Sequence, residues 1–234
     1  MTLGAIQDTS LIYHMGAEVA RQCKLLGIHI NFAPVIDVNS NPENPIINNR
    51  SFGEDPKKVG EMGVFYMNGM QDNHVLACAK HFPGHGDTDT DSHKTLPVVK
   101  HLRYRLDEME LVPFKRLINN GLGSVMVAHL SIPVLDDTKD LPTSLSPKVV
   151  DGLLKEELGF TGLSITDGLN MKGVTKFYEP GLLDVKALLA GNDVLLFSED
   201  VPKAIKEIKN AIENNKISQE EIDKRCHKIL MAKQ

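Results

Sequence analysis

Apolar positions along the chain fall into two alternating rhythms. Leu11, Ile12, Met15, Val19 and Leu26 recur near the helical period behind Asp8 or Thr9, which predicts a helix over about 10–26 stopped by Gly27. The run IHINFAPVIDV (28–38) then reads as extended and ends at Asn39 and Pro42. Asp55 before Pro56 opens a second helix to about Asn73, and VLACAKHF (75–82) reads as a buried strand. The alternation continues with a helix over 107–120 ending at Gly121, then the strand SVMVAHL (124–130). A helix capped by Ser146 with Pro147 stops at Gly159, and GLSITDGL (162–169) forms the next strand. Residues 184–190 are helical in pattern and DVLLF (193–197) is extended. Two helices, over about 202–214 and 218–232, close the chain, the last with Ser218 and Glu221 spaced as a capping box.

Strands that alternate with helices of this size imply an α/β fold with a parallel sheet and right-handed crossovers. A doubly wound sheet and a (β/α)8 TIM-type barrel both fit. Polar residues gather just past the strand ends, at Asp37, His81, His85, His129 and Asp167. Barrels carry their chemistry at that end, which favours the barrel. Only five strands are clear, short of the eight that closure needs. The long Pro- and Asn-rich stretch 39–56 is of a length that loops usually reach for a functional reason.

Composition narrows the partners more than the chemistry. The 234 residues are 41% hydrophobic and 24% charged, as in ordinary globular domains. A net charge of −5 argues against a nucleic-acid partner, since phosphate neutralisation needs a basic surface. No apolar run approaches the roughly eighteen residues of a membrane-spanning helix, and MTLGAIQDTS lacks a signal-peptide pattern. Cys23, Cys78 and Cys226 form no CxxC pair and read as free thiols, which suits a reducing compartment.

Residues 80–93, KHFPGHGDTDTDSH, concentrate the titratable groups. A calcium loop built on Asp87, Asp89 and Asp91 lacks the glycine and glutamate of an EF-hand, since Ser92 and Val98 stand there. A transition-metal site from His81, His85 and His93 is opposed by Pro83 and Gly84, which prevent a helix from aligning the first two. A purely structural polar loop is a third reading. Acid–base catalysis is the fourth and is favoured: Asp91 and His93, two apart, can project together, and a carboxylate beside an imidazole orients the ring and favours its charged form. Asp167, followed by Gly168, either caps a turn or serves as a nucleophile at a barrel mouth.

The block KHFPGHG-x4-DSH, with NFAPVIDV (31–38), NNRSFGEDP (48–56) and SITDGLNMKG (164–173), resembles glycoside hydrolase family 3. More narrowly it is similar to the bacterial β-N-acetylhexosaminidase branch, and the likeness runs over nearly the whole chain in family order. The resemblance implies one catalytic barrel over 1–234. It implies Asp167 as nucleophile, His93 as general acid/base with Asp91 as its partner, and Arg50, Lys80 and His81 as residues that hydrogen-bond the sugar. The implied reaction is retaining removal of terminal β-linked N-acetylglucosamine from an oligosaccharide or muropeptide, as in peptidoglycan recycling, with no metal and no organic cofactor. A β-glucosidase-type activity and an inactive fragment that binds sugar or assembles with a partner are the alternatives. Transfer to phosphate is a further expectation, because a neutral histidine repels an anionic acceptor less than a carboxylate does. Members of the family begin further upstream, so the barrel is expected to lack its first strands here, with open edges that invite association. Localisation in the bacterial cytoplasm or periplasm stays open on this reading.

Overall fold

The computed structural model describes residues 1–88 and 96–233. Asp8 accepts a hydrogen bond from the Ser10 amide and starts α1 (Thr9–Leu25), whose inner face buries Ile12, Gly16, Ala20 and Cys23. Asp55 accepts from the amides of Lys57 and Lys58 and starts α2 (Pro56–Gln71). These two helices meet backbone to backbone. A Cβ on Gly16 would fall 2.3 Å from the Tyr66 carbonyl oxygen, and one on Gly69 would fall 2.1 Å from that of Tyr13.

Four strands, β1 (Ile30–Asn31), β2 (Leu76–Phe82), β3 (Ser124–Val127) and β4 (Leu163–Thr166), lie parallel in sequential order. Ile30 pairs with Leu76, Cys78 with Ser124, and Ser124 with Leu163. Beyond β4, Val194 bridges Ile165 in the same sense, so the segment 193–197 continues the sheet through one pairing. Helices α3 (Arg103–Glu108) and α4 (Leu111–Ile118) connect β2 to β3. After β4 come α5 (Lys172–Thr175), α6 (Leu182–Leu189), α7 (Val201–Glu213) and α8 (Gln219–Met231). The result is a parallel half-barrel of the (β/α)8 type, the architecture favoured by the polar residues at the strand ends over a doubly wound sheet.

Strand alternation decides what faces where. Ala77, Ala79, Val125 and Val127 pack outward with Met67, Met70, Phe114 and Leu117 from α2 and α4. Cys78, Met126, Leu163 and Ile165 form a separate inner cluster with Phe32 and Leu196. Continuing the inner row by two places Lys80 and Asp167 at its C-terminal end. His81 would face the other way, but β2 carries one extra residue there: Ala79 pairs with Val125 and Phe82 with Val127. Such a bulge re-aims the side chain it carries.

Several expected elements are resized. The 28–38 run is a strand only at Ile30–Asn31, and Val35 touches Lys80 in a single bridge after Pro34 interrupts the ladder. The 107–120 helix is instead two, broken at Met109 and Glu110, where the buried Glu110 carboxylate turns in to accept from Arg105 at 2.8 Å. Ser146 caps nothing: its hydroxyl donates to Asp136 at 2.6 Å, and the helix Lys148–Glu157 is wound wide, with Leu158 N bonded to Leu153 O. Ser218 does cap α8, accepting from the Glu221 amide. Cys23 and Cys78 are buried free thiols and Cys226 is an exposed one. No described helix is long and apolar enough to cross a membrane.

Candidate active site

The inner row and the bulge bring Arg50, Lys80, His81, His85 and Asp167 to one cavity of about 190 Å³ at the C-terminal ends of the strands. Phe32, Met126 and Leu196 supply apolar wall. Arg50 ends the turn Asn48–Arg50 in the long loop, anchored by its Nη1 donating to Ile46 O at 3.1 Å. Its Nη2 reaches to 3.4 Å from His81 Nε2.

Asp167 follows β4 directly. Its amide donates to Val127 O at 2.9 Å, and its Oδ1 accepts from Gly168 N at 2.8 Å. The turn-capping bond considered for this residue therefore exists, and it occupies one carboxylate oxygen. Burial raises the carboxyl's proton affinity, yet the net shift is downward, because His81, His129, the Gly168 amide and Lys80 favour the anion. Lys80 moves down as well, first through burial and then through Arg50, with Asp167 and Asp37 opposing.

His129 lies behind this carboxylate, fully buried. Its Nε2 is 3.0 Å from Gly168 O, which can only accept, and its Nδ1 is 2.6 Å from Ser144 Oγ. The ring thus ties the residue after Asp167 to the loop at Ser144.

Asp37 is the residue that pattern reading noted at a strand end without giving it a role. It is 1% exposed, accepts from His81 N at 3.1 Å and from His85 N at 2.7 Å, and lies 2.7 Å from His81 Nδ1. Burial opposes its charge, but the His81 and His85 contacts prevail and hold its pKa below the ordinary value. The available signal was an acid closing an otherwise apolar run, since a buried carboxylate must find donors. His85 is buried too, with Nδ1 2.7 Å from Thr88 Oγ1 and its backbone carbonyl accepting from Asn44 Nδ2. Its Nε2 has no hydrogen-bond partner among the described residues, and burial lowers its pKa.

Asp91 and His93 lie outside the described residues, as does Asp89. Asp87, also counted in the calcium reading, pairs instead with His101. His81 and His85 each have Nδ1 engaged elsewhere, and among the described residues no group of three potential ligands converges on a metal position.

A parallel half-barrel with a carboxylate and a cluster of cationic and imidazole groups at its C-terminal strand ends defines a (β/α)-barrel protein with an enzyme-like mouth. Residues 1–232 match the Glycosyl hydrolase family 3 N terminal domain, and the chain belongs to that family. It is 35% identical to the beta-hexosaminidase A of Pseudoalteromonas piscicida over 94% of its own length and 40% of that protein. It is 30% identical to a beta-N-acetylglucosaminidase/beta-glucosidase of Cellulomonas fimi over 100% of its length and 43% of that one. The solved family 3 beta-N-acetylglucosaminidase of Paenibacillus sp. str. FPU-7 superposes with a TM-score of 0.96 at 42% identity, covering all of this chain and 45% of that one. The chain spans less than half the length of each of these three proteins.

Proposed function

We propose that the chain is the catalytic barrel, over 1–234, of a retaining glycosidase that removes terminal β-linked N-acetylglucosamine from an oligosaccharide or muropeptide. The observation that carries this reading is an anionic Asp167 in the same cavity as Arg50, Lys80 and His81. Bond cleavage builds positive charge at the anomeric carbon, and a carboxylate held ionised beneath it can attack that carbon and stabilise the charge. Arg50 and Lys80 donate to sugar hydroxyls, and the Phe32, Met126 and Leu196 wall suits the apolar face of a pyranose. His93, with Asp91 as its partner, both assigned from the KHFPGHG-x4-DSH likeness, protonates the leaving oxygen and then deprotonates the attacking water. The names of the relatives, beta-hexosaminidase and beta-N-acetylglucosaminidase, support the sugar class.

Release of 4-nitrophenol from its N-acetyl-β-glucosaminide tests the reaction. General acid–base assistance is worth about 10² to 10⁴ in rate, so His93→Ala slows turnover of a natural disaccharide by that order. The loss on the aryl glycoside is smaller, because 4-nitrophenolate departs without a proton. Equal losses on both substrates contradict the role of His93.

A further inference from the structure

The His81 ring is clamped between two groups with opposite hydrogen-bonding obligations. On one side, the Asp37 carboxylate, whose oxygens already accept from the backbone amides of His81 and His85, can only accept when ionised, and it is 2.7 Å from Nδ1. On the other side, the Arg50 guanidinium can only donate, and its Nη2 is 3.4 Å from Nε2. A neutral imidazole satisfies both in one way, with the proton on Nδ1 and the lone pair on Nε2.

We propose that Asp37 is a positioning residue that fixes His81 as the Nδ1–H tautomer, so that the cavity recognises one ligand hydroxyl by its O–H. That hydroxyl takes the place of Arg50 at Nε2, donating its O–H to the ring lone pair, while its oxygen accepts from Lys80 or from the displaced Arg50. The arrangement selects an alcohol over groups that only accept, such as an ether, a carbonyl or a fluorine. Asp37 touches no ligand in this scheme: it acts through the ring, and through the amides of His81 and His85 it holds the segment that carries both. The ligand being a sugar rests on the function proposed above; the tautomer does not.

Nitrogen-15 NMR of the histidine rings at pH 7 reads the tautomer directly, because protonated and unprotonated ring nitrogens resonate in separate ranges. The His81 signals are assigned by their loss in His81→Gln. The wild-type ring shows a protonated Nδ1 and an unprotonated Nε2; the reverse pattern, or a ring protonated on both nitrogens, overturns the proposal, whatever the chain does to sugars. In Asp37→Asn the new amide keeps an acceptor for the backbone N–H groups and turns a donor on Nδ1, so the two ring signals exchange. An unchanged pattern in a folded variant also overturns the proposal. Losing a hydrogen bond of this charge-assisted kind reduces kcat/KM by about 10- to 100-fold. Deoxy and deoxyfluoro analogues of the aryl glycoside then locate the hydroxyl. In wild type, fluorine at that position is as poor as hydrogen; in Asp37→Asn, where Nε2 has become a donor, the fluoro analogue is the better of the two. A fluoro-to-deoxy ratio that is the same in both proteins refutes the recognition step even where the tautomer exchanges. Should Asp37→Asn fail to fold, the wild-type spectrum alone still decides the tautomer. A wild-type chain with the stated tautomer and no activity on any N-acetylglucosaminide instead refutes the assigned reaction and leaves the Asp37–His81 pairing standing.

Discussion

Replacing Asp167 by Asn isolates the charge of the carboxylate from its shape. The amide oxygen of Asn can keep the 2.8 Å bond to Gly168 N, so the turn that positions residue 167 survives. What disappears is a negative charge that His81, His129 and Lys80 hold in place against burial. At about 4 Å, with an effective dielectric near 20, a carboxylate attracts a unit positive charge by about 4 kcal/mol. At about 1.4 kcal/mol per tenfold, that corresponds to roughly 10³ in rate. Loss of the covalent step adds to it, so kcat on 4-nitrophenyl N-acetyl-β-glucosaminide falls by at least about 10³-fold. In Asp167→Ala, added azide enters the vacated space, restores part of the rate and yields the α-glycosyl azide. A folded Asp167→Asn variant within about tenfold of wild-type kcat refutes the reasoning, because then the carboxylate is neither nucleophile nor charge stabiliser.

Three other outcomes follow from the geometry. Asp37 and Asp167 both have pKa values below the ordinary carboxylate value, so the unfolded chain binds more protons than the folded one at acid pH. Their stabilisation is therefore complete above about pH 4 to 5 and is lost as pH falls through the lowered values; the urea midpoint drops between pH 5 and pH 3, and a midpoint that rises contradicts this. Gly86→Ala would place a Cβ 1.8 Å from the Val38 carbonyl oxygen, forcing the loop away from the Asp37 segment. Stability measured by urea falls by about 1 to 3 kcal/mol, and a variant as stable as wild type shows that the close approach is not needed. Burial pushes the Cys78 thiol up to about 12, so a thiol reagent at pH 8 labels exposed Cys226 in the native protein and reaches Cys78 only on unfolding.

Much of the frame was legible in the sequence because it depends on local periods and punctuation. Gly27, Gly121 and Gly159 all have positive φ where helices were expected to stop. The order of strands and helices, and the strand-end location of His81 and Asp167, follow from the alternation. The misses come from contacts that the apolar spacing along the chain does not show. Ser146 was spaced as a cap, but Asp136 takes its hydroxyl. A single helix was legible over 107–120, but Glu110 turns inward to Arg105 and breaks it. Val194 was placed in a full strand, and one pairing with Ile165 is what forms.

By itself, then, the sequence determined the α/β alternation, a parallel sheet and which residue types stand at its C-terminal edge, since 2-fold and 3.6-fold periods act within a few residues. Tertiary structure alone decided that Lys80 and His81, neighbours that a regular strand would send to opposite faces, open into one cavity. It also decided that Asp37, 44 residues before His81, is the acid that orients the ring, and that His129 braces the turn after Asp167. A bulge and a buried carboxylate with three nitrogen partners are set by strands meeting across the fold, and no window along the chain contains both partners.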